Sequence, residues 1–322
     1  MGHSPGSAAD EPSASRNAST AIVAKETGDA VEVYIGDELF ARMIPDSQGR
    51  PVIHPILGPS GQEMTRAFPF REPGPMEKDD HDHHRSMWLT HGEVNDVDFW
   101  IDDPGTGRIV QRSTLVVPGE PEHAVVTTRN AWKAPDSRTV ATDFRRWTFS
   151  TDGDRRIIDL DAYLFGLDPG THFGDTKEGT FGLRVPGPMK VDAGRGGVIH
   201  DAEGRQNKEA WGKRSAWVDY NGPATAEADS PSGIRIHTHP DTFEFPNRWH
   251  VRTYGLFAVN PFGVHHFIGG DKTDGVRLEH NESLQLSYRV IFYEGTFDAE
   301  QAEKDQRSYA ETDRGSLVPA EE

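Results

Sequence analysis

The stretch VEVYIGDELFARM (residues 31–43) decides the fold class, because it contains two half-buried strands and the turn between them. In residues 31–35 the aliphatic side chains occupy every second position, which is the period of a strand with one buried face. Gly36-Asp37 then supplies a turn, and residues 39–43 continue as the second strand. The stretch therefore predicts an antiparallel β-hairpin.

The same pattern continues along the chain, where short apolar runs alternate with clusters of turn residues. Further runs lie at residues 109–117, 124–128, 139–150, 156–165, 234–237, 255–259 and 284–293. This spacing, with 33 Gly and 22 Pro, is typical of β-sandwiches. No alternation of strands with helices and no glycine-rich nucleotide motif occurs. We therefore predict an all-β protein: a large two-sheet antiparallel sandwich.

The sequence also indicates how the chain is divided. Residues 20–297 contain no linker-like break, so we expect one β-sandwich catalytic domain. Residues 1–19 are rich in Ser, Ala, Gly and Pro and lack the apolar block of a secretory signal, which predicts a disordered tail. Asp298 followed by Gln301 is a helix-capping pattern, so we expect residues 298–322 to form a short C-terminal helix and a tail.

Composition excludes several classes of function. The 322 residues contain no Cys, so a disulfide framework, a thiol nucleophile and a cysteine-bound metal are excluded. The net charge of −18 argues against a nucleic-acid partner, and no apolar run is long enough to span a membrane. We expect a soluble, cytoplasmic protein that acts on a small molecule. The composition is also compatible with a homo-oligomer.

The segment DDHDHHRSMW (residues 79–88) contains most of the candidate chemistry. In an extended backbone, His81, His83 and Arg85 would share one face, with the two imidazoles about 7 Å apart. Imidazoles exchange protons near neutral pH, and a guanidinium donates to an oxyanion. Three interpretations follow: a divalent metal site on His81 and His83, acid–base or hydroxyl-binding groups, or a solvated polar loop.

Three later segments combine charged and aromatic residues. In FGDTKEG (residues 173–179), the adjacent Lys and Glu would place a cation and a carboxylate base together at the opening of a substrate pocket. Alternatively, they form an ordinary surface ion pair. The tryptophans of WGKRSAWVDY (residues 211–220) suit either sugar stacking or core packing. In WHVRTYGLFAVNPFG (residues 249–263), His250 and Arg252 share a face if the segment is a strand.

Together these segments resemble a known bacterial family, catalogued as PmoA-like or methane oxygenase PmoA. The similarity runs in order from about residue 52 to residue 294 and rests on DHDHHRSMW (80–88), DFW (98–100), FGDTKEG (173–179), WGKR (211–214) and WHVR (249–252). The resemblance implies a galactose mutarotase-like β-sandwich and a role in sugar catabolism. Asp82 stands where we expect Pro in this family. We discount the oxygenase label, because the chain has no membrane-spanning segment.

The residues and the resemblance together predict an enzyme that acts on a sugar, glycoside or keto-sugar, as a lyase, hydrolase or epimerase. Glu178 is the expected general base and His83 or His84 the general acid, while Arg85 and Lys177 stabilise an oxyanion. The expected substrate-binding residues are Trp88, His91, Asp175, Arg184, Trp211, Arg214, Trp249, His250, Arg252, Tyr254 and Asn260.

The sequence allows two alternatives. In the first, His81, His83 and a carboxylate hold a divalent ion, and the protein is a metal-dependent lyase or oxygenase. In the second, the aromatic residues bind carbohydrate without catalysis. Catalysis requires that the histidine-rich segment, the Lys-Glu turn and the Trp-His-Val-Arg strand line one pocket.

Overall fold

The structure, a computed structural model, describes residues 21–314. The predicted N-terminal tail and nearly all of the predicted C-terminal tail lie outside these residues. The described residues form the strands β1 (Ile22–Thr27), β2 (Ala30–Ile35), β3 (Glu38–Ile44), β4 (Val52–Ile56), β5 (Met87–His91), β6 (Arg108–Val117), β7 (His123–Lys133), β8 (Thr139–Asp152), β9 (Arg155–Phe165), β10 (Thr171–Phe173), β11 (Gly179–Arg184), β12 (Val198–Asp201), β13 (Trp217–Gly222), β14 (Ser232–Thr238), β15 (Arg248–Val251), β16 (Leu256–Asn260), β17 (Val276–Leu278) and β18 (Ser283–Glu294). The helices are α1 (His265–Ile268) and α2 (Ala299–Ala310), with 3-10 turns at Gly187–Met189, Val191–Ala193 and Asn207–Ala210.

Two eight-stranded antiparallel sheets form a sandwich. Sheet I has the order β1-β2-β3-β4-β5-β11-β16-β15, and sheet II has the order β12-β13-β14-β18-β9-β8-β7-β6. The strands β10 and β17 form a small separate sheet. The stretch at residues 31–43 is the β2–β3 hairpin, in which Val31 pairs with Met43. The predicted all-β, two-sheet antiparallel sandwich is therefore confirmed.

Side chains from the facing sides of the two sheets form one hydrophobic core. Phe40 of sheet I meets Phe149 of sheet II edge to face, with the ring centroids 5.9 Å apart. Phe181 of sheet I stacks on Tyr288 of sheet II at 5.2 Å. Each large side chain buried in this way contributes about 1.5–3 kcal/mol. The core thus fixes which side of every strand points outward.

Four adjacent strands of sheet I present a second, outer face that points away from this core. Trp88, Gly182, Ala258 and His250 lie side by side in one row across β5, β11, β16 and β15. Trp88 and Ala258 belong to a hydrophobic cluster separate from the main core. A Cβ added at Gly182 would lie 3.1 Å from the Trp88 ring, so a larger residue there would require the indole to shift by a few tenths of an ångström.

Helix α2, whose start the capping pattern predicted, packs on the outer face of sheet II. The Asp298 side chain accepts hydrogen bonds from the backbone N–H groups of Glu300 and Gln301, which fixes the start of the helix. Within the helix, the buried Asp305 accepts from Arg235 of β14 at 3.0 Å and from Arg155 of β9 at 2.6 Å. These buried ion pairs attach the helix to the sheet.

We predict that Asp305→Asn lowers the free energy of unfolding by about 3 kcal/mol, because it leaves the buried Arg235 with less compensating charge. The matched control is Lys304→Ala, an exposed change one residue away that should stay within about 0.5 kcal/mol of the wild type. Urea unfolding followed by circular dichroism measures both. Equal stabilities of the two variants would contradict the assigned role of the ion pair.

Candidate functional site

Two loops cover the outer face of sheet I where the predicted site residues lie. The histidine loop (residues 79–86) precedes β5, and the Lys–Glu loop (residues 174–178) joins β10 to β11. Because β5 and β11 are antiparallel, the two loops lie at opposite ends of this strand pair. Both contact the outer face, the histidine loop through the stacking of His84 on Trp88 and the Lys–Glu loop through the hydrogen bond between Lys177 and His250. The chain between residues 248 and 260 supplies the adjoining part of this face through β15, β16 and their connection.

The histidine loop is folded into turns and is not extended. The backbone of His81 has a φ of 48° and that of Ser86 a φ of 55°, both in the left-handed region. The N–H of His84 donates to the carbonyl of His81 at 2.9 Å, which closes a turn. The extended backbone assumed for His81, His83 and Arg85 is therefore wrong, and these side chains do not share a strand face.

Buried arginines hold this loop by its carbonyl groups. Arg66 donates to the carbonyl of His81 at 2.7 Å and to that of Asp80 at 2.8 Å. Arg50 donates to the carbonyl of Trp100 at 2.6 Å, in the segment that packs beside the loop. Buried carbonyl groups need hydrogen-bond donors, and these guanidinium groups donate the hydrogen bonds that a neighbouring strand would supply in a sheet. The sequence analysis did not identify either arginine.

His84 is enclosed within the protein. Its Nδ1 accepts a hydrogen bond from Arg184 at 2.8 Å, and its ring stacks between those of Trp88 at 5.5 Å and His81 at 4.9 Å. Its exposure is 1%. Burial, with the charges of His83 and Arg184, holds the pKa of His84 well below its usual value. This geometry disfavours His84 as the general acid and makes it the residue that orients Arg184.

Arg85 is neutralised by a buried carboxylate. Its Nε and Nη2 donate to one oxygen of Asp102 at 3.1 and 2.9 Å. Both side chains are buried. The guanidinium is therefore committed to holding residues 98–102 against the histidine loop, and this position disfavours the oxyanion role expected for Arg85.

A group of three side chains near this loop has the composition of a metal site. Ligand atoms of Asp82, His83 and Asp102 lie within 4.8 Å of one another. His81, the second expected ligand, is not in this group. Burial lowers the pKa of His83 to about 4, so its imidazole is neutral and has a lone pair to offer. Because Arg85 already pairs with Asp102, the carboxylate is only partly free to bind a cation.

The Lys–Glu loop lies over β15 and β16. The carbonyl of Lys177 accepts from Nδ1 of His250 at 2.8 Å, and the carbonyl of Thr176 accepts from Asn260 at 2.9 Å. Lys177 also donates to the Glu178 carboxylate, and the two side chains are 36% and 32% exposed. Glu178 is thus a partly exposed, cation-paired carboxylate held above the sheet.

His250 is a buried, neutral imidazole with a fixed tautomer. Its Nδ1 carries the proton donated to the Lys177 carbonyl, so Nε2 retains the lone pair. Burial lowers the pKa of His250 to about 4, against the opposing charge of Glu178. The ring lies edge to face with Trp211, with centroids 6.4 Å apart. His250 therefore connects the Lys–Glu loop with the Trp211 ring.

Tyr254 connects the histidine loop with Arg252. Its ring stacks on His81 at 5.5 Å and lies 4.7 Å from the Arg184 guanidinium. Arg252 lies between two rings, 5.5 Å from Tyr254 and 5.7 Å from Trp211. Burial raises the pKa of Tyr254, so its hydroxyl stays protonated at neutral pH. We call the residues Trp211, Arg252 and Tyr254 the aromatic–arginine stack.

A pocket of about 230 Å³ opens beside this stack. Its wall consists of Lys208, Trp211, Val251, Arg252 and Thr253. Within the part of the chain that the structure describes, neither Glu178 nor His84 contributes to the wall, so the predicted catalytic residues do not meet inside this pocket. Lys208 lies outside the candidate segments and was therefore missed, and Thr253, although it lies in the segment at residues 249–263, was not among the expected binding residues.

Glu178 nevertheless acts on the residues around the pocket. Its charge contributes to the pKa values of both His250 and Tyr254. The Lys–Glu loop and the aromatic–arginine stack are therefore close neighbours on one face of sheet I. The histidine loop joins them through the contact between His81 and Tyr254.

Several predicted substrate-binding residues make hydrogen bonds within the protein. Trp249 lies in the main core and donates to the carbonyl of Ser215 at 3.0 Å. His91 is fully buried and bonds to the carbonyl of Gly174 at 2.8 Å. Arg214 donates to the carbonyl of Pro246 at 2.8 Å. None of these three side chains reaches the pocket wall within residues 21–314.

Asp175 and Asn260 fix the backbone around the Lys–Glu loop. The Asp175 carboxylate accepts from the N–H groups of Val264 at 2.5 Å and Thr273 at 3.0 Å. Burial alone would raise the pKa of Asp175, but these hydrogen bonds outweigh it and lower the pKa to about 2. Asn260 accepts from the N–H of Phe262 at 2.9 Å. Both residues are fully buried and fix the backbone of the loop and of the segment that follows β16.

Solved structures with similar folds include enzymes that act on sugars. The galactosidase domain of the α-galactosidase–sucrose kinase AgaSK matches 85% of this chain and 42% of its own, with 9% identity and a TM-score of 0.42. The GH36 α-galactosidase AgaA from Geobacillus stearothermophilus matches 85% and 41%, with 9% identity and a TM-score of 0.43. A Glycoside Hydrolase Family 97 enzyme from Pseudoalteromonas sp. strain K8, in complex with acarbose, matches 84% and 33%, with 10% identity and a TM-score of 0.33.

The chain thus spans about two fifths or less of the length of these structures. No curated protein matches the sequence. Among the described residues, neither helix has the length and apolar character that crossing a bilayer demands.

One family profile matches residues 30–306, which include most of helix α2 and every strand of the two sheets except β1. The PmoA name suggested by the motifs is not confirmed by this match. The protein belongs to the family described as a family of unknown function, DUF6807.

Proposed function

We propose that this protein is a carbohydrate-active enzyme that performs acid–base chemistry on a sugar, glycoside or keto-sugar. The observation that carries the proposal is the position of the Lys–Glu loop beside the aromatic–arginine stack, on one face of sheet I. A half-buried indole, a partly exposed carboxylate and fixed cations are the groups that bind and activate a pyranose ring.

In this proposal Glu178 is the general base. It is partly exposed, and its neighbour Lys177 would stabilise negative charge that develops on a substrate oxygen. The Trp211 ring would pack against one face of the sugar, as aromatic rings do in carbohydrate sites. His250 holds the backbone of Lys177 and so positions the base.

Tyr254 is a better general acid than His84. Its hydroxyl stays protonated because burial raises its pKa, and the charge of Glu178 acts on it. His84 instead accepts from Arg184 and is almost fully buried. In a β-elimination, Glu178 would take a proton from carbon, the C–H electrons would form the double bond, and the leaving oxygen would receive the Tyr254 proton. The same pair would serve hydrolysis or epimerisation.

We predict that Glu178→Gln lowers turnover by about 10²- to 10⁴-fold while sugar binding is retained. Chromogenic glycosides and their oxidised keto forms provide the assay, and calorimetry measures binding. Glu209→Gln, an exposed carboxylate beside the pocket residue Lys208, is the matched control and should keep full activity. If Glu178→Gln turns over substrate like the wild type, Glu178 is not the base. If the wild type binds these sugars but turns none of them over, the non-catalytic carbohydrate-binding alternative takes first place.

We predict that Tyr254→Phe lowers turnover by about 100-fold or more, because it removes the proton donor but keeps the ring that stacks on His81. The midpoint of thermal unfolding should change little. Tyr34→Phe, on the strand β2, serves as the control. Full activity of Tyr254→Phe together with an inactive His83→Gln would transfer the acid role to His83.

A metal-dependent lyase or oxygenase is the second candidate, because Asp82, His83 and Asp102 bring three ligand atoms together. The ion pair between Arg85 and Asp102 weakens this candidate. We predict that the purified protein keeps its activity after dialysis against EDTA and holds less than one equivalent of metal by elemental analysis. Stoichiometric metal that is lost in His83→Gln, together with the activity, would reverse the ranking.

A further inference from the structure

The pocket beside Trp211 has a cationic wall. Lys208 and Arg252 contribute to it, and its other residues are Trp211, Val251 and Thr253, so no carboxylate lines it within the described residues. We infer that this pocket binds the anionic group of an acidic sugar, a carboxylate or a phosphate. The inference rests on the proposed carbohydrate function and specifies its substrate class.

Arg252 differs from the other arginines of this face because it has no acidic partner. Arg66 and Arg184 pair with Asp80 at 3.2 and 3.4 Å. No carboxylate of residues 21–314 lies within ion-pair distance of Arg252, whose contacts are with aromatic rings. A guanidinium held by ring contacts keeps N–H donors at its edge, and these match the two oxygens of a carboxylate or phosphate.

The second cation strengthens this assignment. Lys208 lies in the same wall, is exposed, and has no ion pair with any described residue. The chain as a whole carries a net charge of −18, so most of its surface repels anions. Because Lys208 and Arg252 have no ion-pair partner among the described residues, the pocket that they line is locally positive, and both would attract an anion bound there.

The size of the pocket and its aromatic wall indicate a sugar as the rest of the ligand. Pockets for drug-sized molecules are about 300–1,000 Å³, so a pocket of about 230 Å³ fits a single sugar unit better than an oligosaccharide. The half-buried Trp211 offers a ring face to a pyranose. Because Arg252 also contacts Tyr254, an anion bound there would bring the sugar to the proposed acid.

Calorimetric titrations test the inference with three probes in gluco and galacto forms: the methyl hexoside, the methyl hexuronide and the hexose 6-phosphate. We expect at least one acidic probe to bind about 10-fold or more tightly than the neutral hexoside at low salt. The preference should weaken as salt is raised, because the attraction is electrostatic. The acidic probe that binds more tightly identifies the group as a carboxylate or a phosphate.

In Arg252→Met, the preference for the acidic probe should disappear while the affinity for the neutral hexoside changes less. Arg252→Lys keeps the positive charge but lacks the planar guanidinium that donates two parallel hydrogen bonds, so it should retain part of the preference. Arg112→Met is the matched control, since Arg112 is exposed on β6 of the other sheet. Circular dichroism checks the fold of each variant.

Two results would overturn the inference. The first is equal binding of the neutral and acidic probes by the wild type, and the second is an acidic preference that survives in Arg252→Met. In both, binding of the neutral hexoside leaves the proposed carbohydrate function intact. If no probe of any charge binds, the proposed function itself fails.

Discussion

The hydrogen bond from Arg184 to Nδ1 of His84 holds the candidate site on the sheet. Arg184 ends β11, and His84 lies in a loop 100 positions earlier in the chain, so this contact ties the loop to the outer face. It requires a neutral imidazole, and the burial of His84 supplies that condition. The same guanidinium supports the Tyr254 ring, which in turn contacts Arg252. The Arg184 guanidinium therefore links the histidine loop to the aromatic–arginine stack.

The fold could be predicted from local patterns because they reflect which side of a strand is buried. Alternation in residues 31–35 and the following Gly36-Asp37 identified the β2–β3 hairpin. Asp298 correctly marked the start of helix α2. In the WHVR segment, the strand period places Trp249 and His250 on opposite sides of β15, although both were expected to bind substrate. Each of these features depends on residues only a few positions apart.

The candidate site was predicted less well, because its contacts join residues far apart in the chain. Nothing in the sequence near Arg85 indicates that Asp102 neutralises it. The left-handed backbone of His81 cannot be read from its neighbours, so the assumed strand face was wrong. Lys208 lines the pocket only because its short 3-10 turn packs near the end of β15. The motifs identified the segments that form the candidate site. They did not show which side chains in those segments are free of contacts within the protein.

The two outer faces of the sandwich are covered in different ways. Sheet II carries helix α2, attached through Asp305 to Arg235 and Arg155, whereas the candidate face of sheet I carries loops. Loop residues can be exchanged without disturbing the sheet beneath them, and the helix-covered side provides a rigid support. The architecture therefore separates stability from specificity: ligand preference can diverge among relatives on one side of the molecule while the other side conserves the scaffold.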